Sequence, residues 1–181
     1  MRTFTVYAVL ILLLAVPCAL FGAPWYEAGR AELGFGADLA SAQDIFLGKG
    51  SFHIAADIRM TVSEEFQIRI PLGFSINRTS QLWETGFDIV CYPWGAGPFI
   101  SLSLFRAGFS RNCENIDSMV NLNEVSIGWT FEFGPELFVE PCLCVRDPSG
   151  TFTEEYSRIK GTFPCYTTFR GRIAFGWMFL R

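Results

Sequence analysis

The chain has 181 residues, of which half are apolar and 16% aromatic, and its formal net charge is −4. This length suits one ordinary domain, and the acidic balance gives no support to nucleic-acid binding. Lysine occurs only at Lys49 and Lys160, and histidine only at His53, which is unusual for a surface that faces water.

The chain begins with a pattern that is typical of a secretory signal peptide, MRTFTVYAVLILLLAVPCALFGAPW. A basic start is followed by an apolar run and by small residues near Gly22, so we predict a signal peptide over 1–22 and a mature domain over 23–181. Cys18 raises a lipoprotein alternative, although Pro17 stands where acylation requires a small residue. No later stretch reaches the roughly 18 apolar residues of a membrane-spanning helix, so a membrane would be crossed by strands.

Eight later segments alternate apolar and polar residues, which is the pattern of β-strands with one apolar face. They lie at about 27–39, 51–63, 66–77, 82–92, 98–109, 122–133, 137–146 and 164–180. The clearest pair is FHIAADIRMTVSEEFQIRIPLGFSI, residues 52–76. To keep Arg59 and Arg69 on one side of the sheet, the turn near Glu64 must contain about three residues. Pro71 and Pro141 suggest bulges or strand ends, because proline donates no ladder hydrogen bond.

The links between these segments differ in length. Odd-numbered links, at about 40–50, 78–81, 110–121 and 147–163, are mostly long, whereas the even-numbered ones are short. Antiparallel neighbours place alternate links at opposite ends, so this pattern favours a meander with one short-turn rim and one looped rim. We predict an all-β fold, an eight-stranded antiparallel up-and-down transmembrane β-barrel.

The apolar rows are too bulky for the inside of such a barrel, whose interior is only just wide enough to be filled by side chains. We therefore expect these rows to face lipid and the polar rows to line the lumen. The predicted lumen-lining residues are Arg30, Glu32, Asp38, His53, Asp57, Arg59, Arg69, Glu84, Asp88, Glu124, Glu132, Glu140, Arg146, Arg170 and Arg172. Their near-balanced charges predict ion pairs, because a buried charge is costly without a partner.

Aromatic residues recur near the short-turn rim, as in the interfacial girdle of membrane proteins. The predicted girdle consists of Trp25, Tyr26, Tyr92, Trp94, Trp129, Phe133, Trp177 and Phe179.

The signal sequence, the eight alternating strands and the terminal FRGRIAFGWMFLR resemble the small outer-membrane barrels that are OmpW-like, OmpX-like or similar to the OmpA membrane domain. One departure is the end of the chain, where Phe179 is followed by Leu180 and Arg181 instead of being the terminal aromatic residue. The resemblance implies an outer-membrane location with loops at the cell surface and both termini on the periplasmic side. It also implies that membrane lipid and the barrel-assembly machinery are partners, and it implies no cofactor.

Three functions remain open at this point. The OmpW-like resemblance implies a narrow conduit for small or hydrophobic solutes. The alternative is a plugged barrel that displays loops for adhesion or host-ligand binding, or that stabilises the membrane. The loops at 40–50, 110–121 and 147–163 are the best recognition surface, and the last contains the long, charged stretch DPSGTFTEEYSRIKG, which suits contact with an external ligand or is an ordinary solvated loop. A soluble exported lipocalin-like carrier is a further alternative, but its exterior would need more charge than this chain has.

Catalytic and metal chemistry have little support in the sequence. His53 lies near the looped rim opposite Ser75 or Asn77 and resembles the His and Ser pair of barrel acyltransferases, but no third group can be placed. One histidine and dispersed cysteines have no metal-ligand spacing, so we expect neither an enzyme nor a metal site. The mature chain has an odd number of cysteines, Cys91, Cys113, Cys142, Cys144 and Cys165, so at least one thiol is left without an intramolecular partner.

Overall fold

The computed structural model describes residues 32–38, 50–78, 80–113, 116–134 and 136–180. The predicted signal peptide, most of the link at 40–50 and the predicted site residues Trp25, Tyr26 and Arg30 lie outside these ranges. The described part consists of β1 Glu32–Asp38, β2 Phe52–Thr61, β3 Phe66–Asn77, β4 Ser80–Cys91, β5 Pro98–Arg111, β6 Met119–Leu122, β7 Glu124–Trp129, β8 Phe131–Phe133, β9 Leu137–Arg146, α1 Thr153–Thr162 and β10 Phe169–Leu180.

These strands form a closed antiparallel barrel. The strands β1 to β5 pair in chain order, β5 pairs with both β6 and β7, and β7 and β8 pair with β9. Strand β10 pairs with both β9 and β1, which closes the sheet. The short strands β6, β7 and β8 follow one another between β5 and β9 and act as one barrel strand with breaks at Asn123 and Thr130. The barrel therefore has eight strands, and the predicted fold class is confirmed.

The turn between β2 and β3 has the predicted length. The backbone N–H of Val62 donates to the carbonyl of Phe66 at 2.9 Å, which leaves the residues 63–65 as the turn. Arg59 then stands directly opposite Arg69. A three-residue turn keeps both arginines on the same face, as the alternation requires.

The bulge does not lie where the prolines suggested. Pro71 and Pro141 sit inside β3 and β9 without a shift of register, so that expectation is wrong. One shift of register occurs between β1 and β10, at Leu33 and Gly34. The other recorded shift occurs between β4 and β5, where Phe87 faces Phe105 but Asp88 faces Ser103. The extra residue, Leu104, breaks the alternation, because a bulge places two residues of one strand opposite one of its partner.

The barrel is apolar outside and polar inside. Many large apolar strand residues are exposed, including Ile58 at 44%, Trp83 at 53% and Leu102 at 51%. Charged strand residues such as Arg59 and Glu140 are buried, each at 1% exposure. An exterior of this kind does not suit a soluble carrier, whose apolar rows would line its interior.

The long connection between β9 and β10, residues 147–168, covers the looped end of the barrel, and we call it the cap. It contains α1, and its residues Ile159, Phe163 and Tyr166 are completely or almost completely buried against Leu82 and other inward residues of the barrel mouth. The sequence predicted a loop at about 147–163 and a strand from about 164. Most residues of that segment are exposed, but it contains a helix, and the strand begins only at Phe169. Within the described residues, no helix is both long and apolar enough to cross a membrane.

Candidate functional site: the barrel interior and its cap

The half of the lumen near the short turns is filled by one network, which we call the turn-side network. Its members are Asp57, Arg59, Arg69, Tyr92, Thr130 and Glu140. Glu140 is the centre, because it lies 2.8 Å from Arg59 Nη1 and 2.9 Å from Arg69 Nη2 and accepts from Thr130 at 2.7 Å. Asp57 holds the other side of the Arg59 guanidinium. The network joins four barrel strands and the short turn after β4.

Tyr92 belongs to this network and not to the predicted girdle. It is 1% exposed, and its oxygen accepts from Arg69 Nη2 at 2.8 Å. The position follows the inward row of β4, which continues past Asp88 and Val90 to Tyr92. The Tyr92 side chain therefore closes the lumen at the short-turn rim and does not contribute to an aromatic belt at the membrane–water interface.

The other described girdle residues lie on the outside near the short turns. Trp94, Trp177 and Phe179 are 49%, 47% and 58% exposed, and Phe133 is 59% exposed. Trp129 is half-buried and stacks on Phe131, with ring centroids 6.1 Å apart. These residues have the exposure that an interfacial aromatic belt requires.

A second network fills the middle of the lumen, and we call it the loop-side network. Its members are Asp38, Asp88, Arg106, Glu124, Arg146 and Arg172. Glu124 contacts three guanidinium groups, Arg106 at 3.0 Å, Arg146 at 3.3 Å and Arg172 at 2.9 Å. Arg106 also reaches Asp88 at 2.8 Å, and Arg172 reaches Asp38 at 3.5 Å. Each arginine here thus has at least one carboxylate partner.

Arg106 is a lumen residue that sequence reasoning missed. Strict alternation from Ile100 and Leu102 would place Leu104 and Arg106 on the lipid side, but the bulge returns Arg106 to the inside at 5% exposure. The available signal was the adjacent pair Leu104 and Phe105, both outward, at 60% and 53% exposure. Two consecutive apolar residues in an alternating strand indicate an inserted residue.

His53 contacts Ser75 on the looped side of the two networks. Its Nδ1 lies 2.8 Å from Ser75 Oγ and 4.0 Å from a Glu84 oxygen, and all three side chains are buried. Both partners face the same ring nitrogen. A nucleophile, base and orienting acid need the base to use both of its nitrogens, so this arrangement does not match a catalytic triad.

Of the remaining predicted lumen residues, Glu32 and Arg170 are buried at 3% and 9% exposure. Glu132 is exposed in β8 and lines a recess of about 20 Å³ at the short-turn rim, below the turn-side network. A recess of that size holds about one water molecule. The lumen is therefore narrow at the short-turn rim.

Among the residues that the structure describes, no group of three or more His, Cys, Asp or Glu could hold a metal ion. Within the described part of the chain, the cysteines Cys91, Cys113, Cys142, Cys144 and Cys165 form no disulfide bond.

Comparison with known proteins supports the fold. No protein-family model matches the chain, and no curated protein matches it either. A solved structure that matches is the N-terminal β-barrel domain of Pseudomonas aeruginosa OprF, with a TM-score of 0.51 at 11% identity over 82% of this chain and 96% of that one. A designed transmembrane β-barrel also matches, with a TM-score of 0.39 at 11% identity over 86% and 98%. The fold is that of an eight-stranded outer-membrane β-barrel.

Proposed function

We propose that the protein is an integral outer-membrane β-barrel whose lumen is closed, and that it serves to hold its cap at the outer face of the membrane. The single observation that carries this proposal is the filling of the lumen at three levels. The turn-side network, the loop-side network and the cap follow one another along the barrel axis.

The outer surface supports the membrane location. Large apolar side chains such as Ile54, Phe87, Ile100 and Phe175 are each more than two-fifths exposed. In water such a continuous apolar surface would be unfavourable by roughly 25 cal/mol per Å². In a bilayer it is the expected lipid-facing band of a barrel. Outer-membrane lipid is therefore the main partner in this proposal, and the assembly machinery is the second.

The closed lumen is the reason to prefer an anchor over a conduit. A solute path would need water along the axis, but Glu140, Arg59 and Arg69 close the turn side, and Tyr166 and Phe163 close the looped side. Breaking a buried ion pair costs about 3–5 kcal/mol, so the networks do not open readily. Adhesion or ligand binding at the cap and stabilisation of the membrane are the roles that remain for a closed barrel.

Single-channel recording tests the closed state. The chain is refolded into detergent, its folding is verified by a heat-dependent shift on a denaturing gel, and it is inserted into a planar bilayer. We expect no discrete conductance steps above those of the empty bilayer. Discrete steps from the wild-type protein, reduced by Tyr166→Trp at the mouth, would refute the proposal and favour a narrow conduit.

Protease accessibility on intact cells tests the orientation. Arg158 and Lys160 of α1 are exposed trypsin sites in the cap, whereas the described short turns at 62–65 and 92–97 contain no arginine or lysine. We expect added trypsin to cut the cap of intact cells while the barrel fragments stay in the membrane fraction. Cleavage only after the outer membrane has been opened would place the cap in the periplasm.

A further inference from the structure

A polar pocket of about 250 Å³ lies between the cap and the end of β9. A binding role for this pocket would be additional to the proposed anchoring function. Its lining residues are Arg146, Asp147, Gly150, Thr153, Tyr156, Ser157, Lys160, Tyr166 and Thr168. A water molecule occupies about 30 Å³ of liquid, so the pocket has room for a small polar molecule. Its residues come from the end of β9, from the turn that follows it, from α1 and from the segment just before β10.

One buried residue of this lining, Arg146, has unused hydrogen-bonding capacity. Arg146 is 3% exposed, and its Nε donates to Glu124 at 3.3 Å, but its buried Nη1 has no hydrogen-bond partner. Its guanidinium carbon lies 3.7 Å from the centre of the Tyr166 ring. A buried cationic donor without a partner is costly, so an anion bound next to Arg146 would be stabilised.

Two further donors line the same pocket without engaging any described residue through their side chains. Lys160 in the last turn of α1 forms no ion pair there, and the Thr168 hydroxyl has no hydrogen bond there. Asp147 is the one carboxylate of the lining, but its oxygens already accept from the backbone N–H of Phe152 at 3.1 Å and from the Thr153 hydroxyl at 3.2 Å. The donors that remain available to a ligand are therefore the Lys160 ammonium and the Thr168 hydroxyl, whereas the Asp147 carboxylate already accepts two hydrogen bonds.

The two tyrosines of the lining are uncharged and therefore would not repel an anionic ligand. Burial raises the pKa of Tyr156 to about 12, and burial together with the nearby Glu84 carboxylate raises the pKa of Tyr166 well above its ordinary value. Both rings are therefore neutral at physiological pH. Their hydroxyls are committed elsewhere, to the Asn123 carbonyl at 2.6 Å and to Glu84 at 3.1 Å.

We propose that this pocket binds a small oxyanion, a phosphate or carboxylate group, through Arg146, Lys160 and Thr168. Guanidinium and ammonium groups form charge-assisted hydrogen bonds with such oxygens, which are about twice as strong as neutral ones. The pocket lies at the looped end of the barrel, so the phosphate group could belong to a free molecule or to a lipid headgroup. The chemistry recognised is the same in both cases.

Titration of the refolded full chain with inorganic phosphate and with acetate, followed by isothermal calorimetry, tests the proposal. We expect saturable binding of at least one probe that weakens about tenfold in Lys160→Gln. The control is Arg158→Gln on the same helix, because Arg158 is exposed, pairs with Asp117 and Glu154 at 3.8 Å each, and does not line the pocket. This control is expected to bind like the wild type.

Lys160→Gln is preferred to a change at Arg146, because Lys160 is exposed and its loss leaves the loop-side network intact. Thr168→Val is the second variant and is expected to weaken binding by a smaller factor. Dihexanoyl phosphatidate serves as the lipid probe: tighter binding than inorganic phosphate assigns the pocket to a headgroup, and equal or weaker binding assigns it to a free anion. Absence of saturable binding for all three probes, or equal losses in Lys160→Gln and Arg158→Gln, would overturn the proposal.

Discussion

Glu140→Gln is the sharpest test of the closed lumen. The substitution keeps the size of the side chain but removes the charge that faces Arg59 at 2.8 Å and Arg69 at 2.9 Å, at a position that is 1% exposed. Asp57 then remains as the carboxylate partner of Arg59, whereas Arg69 loses its carboxylate partner in the turn-side network. Removing one partner of a buried ion pair costs about 3–5 kcal/mol. With a slope of about 2 kcal/mol per molar urea, the unfolding midpoint should fall by about 2 M.

The assay is urea unfolding in detergent micelles, followed by tryptophan fluorescence and by the heat-dependent gel shift. Glu136→Gln is the matched control, because Glu136 lies in the exposed short turn next to β9 and such a change costs about 0–1 kcal/mol. The double variant Glu140→Gln with Arg69→Gln should recover part of the loss, since it removes one uncompensated cation. Equal midpoints for Glu140→Gln and Glu136→Gln would refute the view that this network holds the lumen closed.

Three further predictions follow from other contacts. Gly176→Ala should lower the folding yield sharply, because a Cβ there would collide with the Phe138 ring and the Phe35 carbonyl, whereas Gly171→Ala, which meets nothing within 4 Å, should fold normally. Ile58→Arg should destabilise the barrel by about 2–4 kcal/mol in vesicles if that face meets lipid, and Ile58→Leu should have little effect; equal stability of both variants would contradict the lipid-facing assignment. Tyr156→Phe removes the bond to the Asn123 carbonyl at 2.6 Å, worth about 1 kcal/mol, and should speed trypsin cleavage of the cap at Arg158 and Lys160; an unchanged rate would show that this bond does not hold the cap.

The sequence by itself determined the strand number, most strand boundaries and the polarity of the two faces. These features are local, because successive side chains of a strand point to opposite sides and a period of two can be read from neighbouring residues. The register between β2 and β3 was also predictable, since only a turn of about three residues keeps Arg59 and Arg69 on one face. The interior of a small barrel is too narrow for the bulky apolar rows, so the apolar face was predicted to point outward.

The tertiary structure decided which residues meet inside the barrel. The bulge against β4 brings Arg106 to Asp88 and Glu124, and Tyr92 at the end of the inward row of β4 meets Arg69 of β3. The cap is held by contacts between residues far apart in the chain, such as Asn77 with the Thr162 carbonyl at 2.5 Å and Ser51 with the backbone N–H of Cys165 at 3.1 Å.

The pocket at the cap could not be predicted from the sequence either. Arg146, Lys160 and Thr168 are separated by a helix and a loop, and no spacing rule connects them. Their convergence results from the packing of α1 over the barrel mouth, where Ile159 and Phe163 are buried against residues of other strands. Local periodicity specifies which face a residue occupies, but only long-range packing specifies which residues meet across the lumen.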